Sequence, residues 1–163
     1  MLRIPLDIGR AYIQLRMETA TGGKEFVPFK FDTGADFTTI SKTSLEKLGY
    51  DAEWLQQNAT IVKKGVTTAT GQVVDLYVVK LSVINLFHYS LKKFPIRVGV
   101  GADFRNLIGL DIINAFDWLY SSSSKHLVLQ QFVGLNKKLF EQDVTGIYRD
   151  VEIDEMNIPD TQA

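Results

Sequence analysis

The strongest constraint in this sequence is an alternation of period two that runs straight into a carboxylate. From Ala11 to Glu18, Ile13, Leu15 and Met17 alternate with Gln14, Arg16 and Glu18. Successive side chains of an extended chain point to opposite faces, so this pattern predicts a half-buried strand. Thr21-Gly22-Gly23-Lys24 follows and predicts a hairpin turn. Val27, Phe29 and Phe31 then resume the alternation against Pro28 and Lys30. Pro28 has no N–H to give to a ladder, which predicts an edge or a bulge there. This second strand ends in Asp32-Thr33-Gly34-Ala35, and a further β-type run, Phe37 to Ile40, comes after it. A carboxylate at the end of a buried strand is costly unless it is hydrogen-bonded or functional. The apolar residues on both sides predict a buried loop and not a surface turn.

The rest of the chain extends the β reading. Thr43 and Glu46 form a capping-box pattern before Leu45 and Leu48, and Gly49 is a stop, so a short helix is expected there. Residues 51–59 add a further helical turn. Thr60 to Ile84 is rich in Val, Thr, Ile and Leu and predicts a long hairpin with its tip near Thr70-Gly71. Phe94 to Val100 is another strand. Leu107-Ile108-Gly109-Leu110-Asp111 leads into a short apolar helix face at Ile112, Ile113 and Phe116. Asp117 to Tyr120 and Lys125 to Gln131 bracket four serines, a hairpin turn. Many short strands with one or two short helices make a mainly-β, barrel-like or sandwich domain.

Composition then removes whole classes of function. A chain of 163 residues with 45% apolar and 23% charged residues buries a core without staples. It has no cysteine, which excludes disulfides, thiolate metal sites and cysteine nucleophiles. Only His88 and His126 exist, so a His-rich metal site is impossible, and both are expected at the surface or an interface. No metal and no cofactor are expected. A net charge of −1 gives no field for nucleic acid or an anionic membrane. No stretch approaches the length of a membrane span, and no leader-like apolar run precedes the first charges; the expected compartment is cytoplasmic. Charge is unevenly spread. Residues 1–138 carry 17 basic and 12 acidic groups, whereas residues 139–163 carry seven acidic groups against Arg149 alone. The expected organisation is a domain over 1–138 and an acidic C-terminal tail over 139–163. That tail is either a solvated terminus or a segment that docks on the basic body or on a partner.

Asp-Thr-Gly alone says little, but roughly 75 residues on stands Leu107-Ile108-Gly109-Leu110-Asp111-Ile112-Ile113. The two together, with a Gly-containing hairpin between them, resemble the retropepsin-like aspartic proteases. The resemblance spans roughly residues 10–132, in the family's order and spacing. It implies a closed or partly open β-barrel-like single lobe of the acid-protease type, with a flap hairpin. It implies Asp32 as the catalytic aspartate and Thr33 as the residue that locks two active loops together by hydroxyl bonds. Gly34 and Asp36 are implied as binders of substrate main chain, with Ala35 lining the cleft. Thr70-Gly71 is implied as the flap tip, and Ile108-Gly109 as the turn passing beneath the active loop. The chain departs from the family where viral members often carry Arg: Leu110 stands there and cannot pair with Asp36. The flap tip, Ala69-Thr70-Gly71-Gln72, holds a single glycine.

The chain holds one Asp-Thr-Gly and no Asp-Ser-Gly. Hydrolysis by this chemistry needs one carboxylate as base and one carboxylic acid as donor. The implied enzyme is therefore a C2 homodimer, an aspartic endopeptidase with one Asp per chain and a water nucleophile, acting on peptide or protein. Residues 127–140 are expected to supply the terminal strands of such a dimer. The alternative is a protease-like dimerisation or peptide-binding module without hydrolysis. No Gly-x-Ser-x-Gly elbow, Walker loop or complete dinucleotide fingerprint occurs, and Gly99-Val100-Gly101 reads as a loop.

Overall fold

The computed structural model describes residues 2–67, 71–86, 89–99, 105–134 and 152–155. The expected first hairpin is present. β2 (Tyr12–Glu18) and β3 (Lys24–Phe31) pair antiparallel from Tyr12 opposite Lys30 to Glu18 opposite Lys24. Their turn is closed by Thr19 N donating to Gly23 O at 2.9 Å, with Gly22 at φ 85°. The alternation sorts as anticipated, with Ile13, Leu15, Met17, Val27 and Phe29 buried.

Beyond that hairpin the sheet closes on itself. β6 (Val73–Leu86) pairs with β2 through Val83 opposite Met17, and with β7 (Tyr89–Gly99) through Val83 opposite Leu91. β7 runs parallel to β4 (Thr39–Ser41), which meets β8 (Leu107–Ile108), which lies parallel to β3. The ring β2-β3-β8-β4-β7-β6 is a small barrel, and full closure leaves it no internal edge. Its interior is filled by Leu15, Met17, Phe29, Ile40, Leu81, Leu91, Phe94, Ile96 and Ile108, all at most 2% exposed. β5 (Thr60–Thr67) extends β6 beyond the ring as a long hairpin. A second, three-stranded sheet sets β10 (His126–Phe132) between β1 (Leu2–Pro5) and β9 (Phe116–Ser121).

Three short helices complete the described residues: α1 (Lys42–Lys47), α2 (Ala52–Asn58) and α3 (Leu110–Ile113). α2 is the turn read at 51–59, capped by Asp51 accepting from Trp54 N at 2.8 Å. The capping residue of α1 is not Thr43 but Ser41, whose hydroxyl accepts from Ser44 N at 3.1 Å. The chain leaves β4 directly into the helix, so the last extended residue, which carries a hydroxyl, takes the cap. Gly49 ends the helix as expected, at φ 89°.

Several strands exceed their sequence signal. β7 begins five residues before Phe94, because Lys92 and Lys93 break the apolar pattern and Lys93 adopts φ 51° at an irregular register with β6. β1 carries Arg3 and Pro5 and has little strand signal of its own; pairing with β10 holds it. β10 is thereby paired on both edges within the chain, so residues 127–132 are not the free terminal strand that was expected. Pro28 sits where its missing N–H does no harm. Its carbonyl accepts from Asn106 Nδ2 at 3.3 Å, on the side away from β2, and β8 stops short of it at Lys30. From the acidic segment, β11 (Glu152–Glu155) lies antiparallel on the edge of β7, with Glu152 opposite Lys92.

Candidate active site

The loop after β3 is held from below by a ladder that outlasts the strand. Lys30 N donates to Asn106 O at 3.0 Å and Asp32 N donates to Ile108 O at 3.0 Å, the even spacing of a parallel pair. Asp32 thus belongs to the β3–β8 ladder although the regular strand ends at Phe31. The chain then turns sharply. Ala35 N returns to Asp32 O at 3.2 Å, and Gly34 N donates to the Asp32 carboxylate Oδ1 at 2.9 Å. A Cβ on Gly34 would stand 3.2 Å from that same oxygen, so glycine leaves the approach open.

The second motif grips the far side of the turn. Leu110 N donates to Ala35 O at 2.8 Å and Asp111 N to Asp36 O at 3.2 Å. Leu110 therefore supports the loop through its backbone, where an arginine side chain was the family alternative. Gly109 lies against the backbone of Phe37, and a Cβ there would fall 2.4 Å from Phe37 C and 2.6 Å from its carbonyl oxygen. No side chain fits in that space.

Beneath the turn lies a buried polar clamp, built on Asp111 at 2% exposure and Thr38 at 0%. Thr38 N donates to both carboxylate oxygens at 3.0 Å, and its hydroxyl donates to Oδ1 at 2.7 Å. Ile112 N adds a bond to Oδ1 at 2.9 Å, and Gly109 N donates to the Thr38 hydroxyl at 3.2 Å. Burial pushes the Asp111 carboxyl up to about 6, against the pull of the Thr38 and Ile112 donors and of the Arg97 guanidinium. Arg97 also covers the Phe37 ring at 3.8 Å. Asn106 completes the frame: Oδ1 accepts from Ser41 N at 2.8 Å while Nδ2 donates to Ser44 Oγ at 2.9 Å.

Of the residues singled out from sequence, the structure brings Asp32, Thr33, Gly34, Ala35 and Asp36 together with Ile108 and Gly109. Gly71 stands in open space beyond β5 at φ 86°, and Thr70 lies outside the described residues, as does His88. The loop is not buried, contrary to the expectation from its apolar flanks. Thr33, Gly34 and Asp36 are exposed and Asp32 is half-buried, because Phe29 and Ile40 take the core while the tight turn lifts the residues between them to the surface. Thr38, Asn106 and the clamp role of Asp111 were missed. The only available signal was a lone carboxylate within the apolar run Leu107–Ile113, whose burial has to be compensated. His126 Nδ1 lies 2.6 Å from Ser124 O in the β9–β10 turn. Among the described residues no three His, Asp or Glu side chains gather as a metal site, and no helix is long and apolar enough to cross a membrane.

Residues 17–115 match the family model described as "gag-polyprotein putative aspartyl protease". Among solved structures, the chain resembles a retropepsin-like aspartic protease from Rickettsia conorii at 22% identity and TM-score 0.55, covering 78% of this chain and 88% of that one. It also resembles the retroviral protease-like domain of Ddi1 from Leishmania major at 17% identity and TM-score 0.44, covering 83% of this chain and 94% of that one. No curated protein matches the sequence.

Proposed function

The chain belongs to the retropepsin-like gag-polyprotein aspartyl protease family, and we propose that it is an active aspartic endopeptidase that works as a symmetric homodimer. The observation that carries this reading is the Asp32 carboxylate itself. Its Oδ1 accepts from Gly34 N–H, its own backbone N–H is fixed to the Ile108 carbonyl, and the residue is half-buried in an otherwise exposed loop. The clamp of Asp111, Thr38 and Gly109 holds the C-terminal side of the same loop from below.

One carboxyl per chain is half of the chemistry. Two Asp32 side chains about 3 Å apart on a two-fold axis repel by roughly 5 kcal/mol at an effective dielectric near 20, so the pair holds one proton between them. The ionised member takes a proton from water as the water oxygen bonds to the peptide carbonyl carbon. The protonated member gives its proton to the carbonyl oxygen. The resulting gem-diol passes a proton to the amide nitrogen, the C–N bond breaks, and a carboxylic acid and an amine leave. Thr33, exposed in the single chain, reaches the partner's loop; Gly34, Ala35 and Asp36 line the peptide path; the β5–β6 hairpin with Thr70 and Gly71 at its tip closes over it.

Two features support the second copy. The loop that must meet its twin is exposed, as a surface awaiting a partner would be. Beside it β9, an edge strand among the described residues, shows Trp118, Leu119 and Tyr120 at 39%, 55% and 48% exposure, and Trp118 packs edge-on against Phe31, the residue before Asp32. Unpaired apolar edge strands seek another chain.

The test is cleavage of a mixed peptide library at micromolar protein between about pH 4 and 7, wild type beside Asp32→Asn. Loss of cleavage by roughly a thousandfold or more in the variant, with its melting unchanged, is expected. Equal cleavage by both proteins would remove Asp32 from the chemistry and the proposal with it.

A further inference from the structure

One face of the β3–β8 pair carries more than the carboxylate. The ladder bonds from Lys30 N and Asp32 N to the carbonyls of Asn106 and Ile108 put Lys30 and Asp32 in equivalent positions two residues apart. Their side chains therefore share a face, about 7 Å apart along the strand. Phe29 and Phe31 take the opposite face, Phe29 in the core and Phe31 against Trp118. On β8, Leu107 is directly opposite Lys30, and Arg105 lies two residues before it. Lys30, Arg105 and Leu107 line a single groove of about 320 Å³ together with Tyr12, Pro28, Ser41 and Asn106.

The chemistry of this groove is one-sided. It holds an ammonium and a guanidinium, a phenol, a hydroxyl and an apolar floor, and no carboxylate lines it. Among the described residues neither Lys30 nor Arg105 is in an ion pair. The groove is also firmly built. Arg105 O accepts from Thr39 Oγ1 at 2.8 Å, and Asn106 is tied to Ser41, Ser44 and Pro28. The frame fixes the backbone that carries exposed Arg105 and half-buried Lys30, and so sets two cations two residues and one strand away from the Asp32 carboxylate.

We propose that the Lys30–Arg105 groove beside Asp32 is a specificity pocket that takes an acidic side chain, so that the enzyme cuts peptides bearing Asp or Glu within two residues of the scissile bond. This deepens the peptidase reading and rests on it. Leu107 packs the methylenes of the acidic residue, and Lys30 and Arg105 meet its carboxylate, with Arg105 offering the two-pronged geometry.

The experiment has two stages. Wild-type protein is incubated with a mixed peptide library and the cut bonds are read by mass spectrometry. Fluorogenic peptides that differ only by Glu, Gln or Lys at the enriched position are then compared. The expected result is enrichment of Asp and Glu at one position, with Glu favoured over Gln by about tenfold in kcat/KM. That ratio should contract as salt rises from about 0.05 to 0.5 M, because screening weakens half-exposed charge pairs and leaves apolar contacts alone. Lys30→Gln with Arg105→Gln should bring the ratio close to one, and Lys30→Glu with Arg105→Glu should make Lys the preferred residue; thermal unfolding checks that both pairs of substitutions fold. Cleavage without acidic enrichment, or a preference for Glu that survives both pairs of substitutions, overturns the pocket and leaves the peptidase standing. Failure of the wild type to cut any peptide removes the peptidase reading and the pocket with it.

Discussion

Asp111 is buried beneath the candidate active loop, whose far side hangs on it, and its removal has a calculable cost. Asp111→Ala leaves three donors aimed at nothing: Thr38 N–H, the Thr38 hydroxyl and Ile112 N–H. Each unsatisfied buried donor costs about 1–3 kcal/mol, and partial relaxation of the hydroxyl trims the sum, so about 3–5 kcal/mol is expected. For a chain of this size that is a fall in Tm on the order of 10 °C. Asp111→Asn is a different perturbation. With its carbonyl at the Oδ1 position it keeps every bond made there, but it exchanges the Oδ2 acceptor for an amide NH2 that faces Thr38 N–H in a buried site, so about 1–3 kcal/mol is expected. The pair also predicts a pH dependence. The folded-state carboxyl sits at about 6 against an ordinary 3.8. Between those values the folded chain keeps a proton that the unfolded chain has released. Stability from this group is therefore greatest below about pH 4 and is lost as pH rises through 6, a change of about 3 kcal/mol. Urea unfolding of wild type and Asp111→Asn at pH 7, 5.5 and 4 isolates it, since the other carboxylates cancel in the difference. The difference should move in favour of wild type on acidification. A difference that stays flat with pH, or an alanine variant within about 1 kcal/mol of wild type, refutes the buried-clamp argument.

Two other outcomes follow from the same frame. Gly109→Ala drives a methyl group into the Phe37 backbone, where nothing flexible can yield, so loss of soluble folded protein or destabilisation of more than about 3 kcal/mol is expected by circular dichroism and melting. A normally folded, fully active Gly109→Ala protein would mean that the turn does not pass beneath the loop as closely as described. Leu119→Lys on the β9 edge should leave the melting curve of the single chain within about 0.5 kcal/mol of wild type, but shift sedimentation at micromolar concentration from dimer to monomer and abolish cleavage with it. An intact dimer in that variant would place the interface elsewhere.

How much of this was legible in the sequence depends on how local the cause was. The β2–β3 hairpin, the Gly49 stop and the serine turn before β10 are written in neighbouring residues, and all three stand where period and turn chemistry put them. The union of Asp32 with Ile108 and Gly109 was legible only because two motifs lie in a fixed order; neither one says that the ladder continues through Asp32. Strands held by partners were not legible. β1, with Arg3 and Pro5 among four residues, is a strand because β10 lies beside it. The first half of β7 was hidden by the two lysines that bulge out of it.

The exposed loop is the instructive miss. Apolar flanks were read as burial of what lies between them, and for a strand interior that inference holds, because the ladder carries each residue into the same layer. It fails where the chain turns, since a tight turn needs only its ends in the core. Here Phe29 and Ile40 are both fully buried, while Thr33, Gly34 and Asp36, between them, face outward. On β3, the face that carries Asp32 also carries Lys30 with Leu107 opposite it, while Phe31 on the other face meets Trp118. In a closed ring whose strands are paired on both sides, the turn residues are the ones free to leave the core. This is why the residues that stabilise the fold, Asp111 and Thr38 among them, lie directly under the ones that the proposed chemistry needs at the surface.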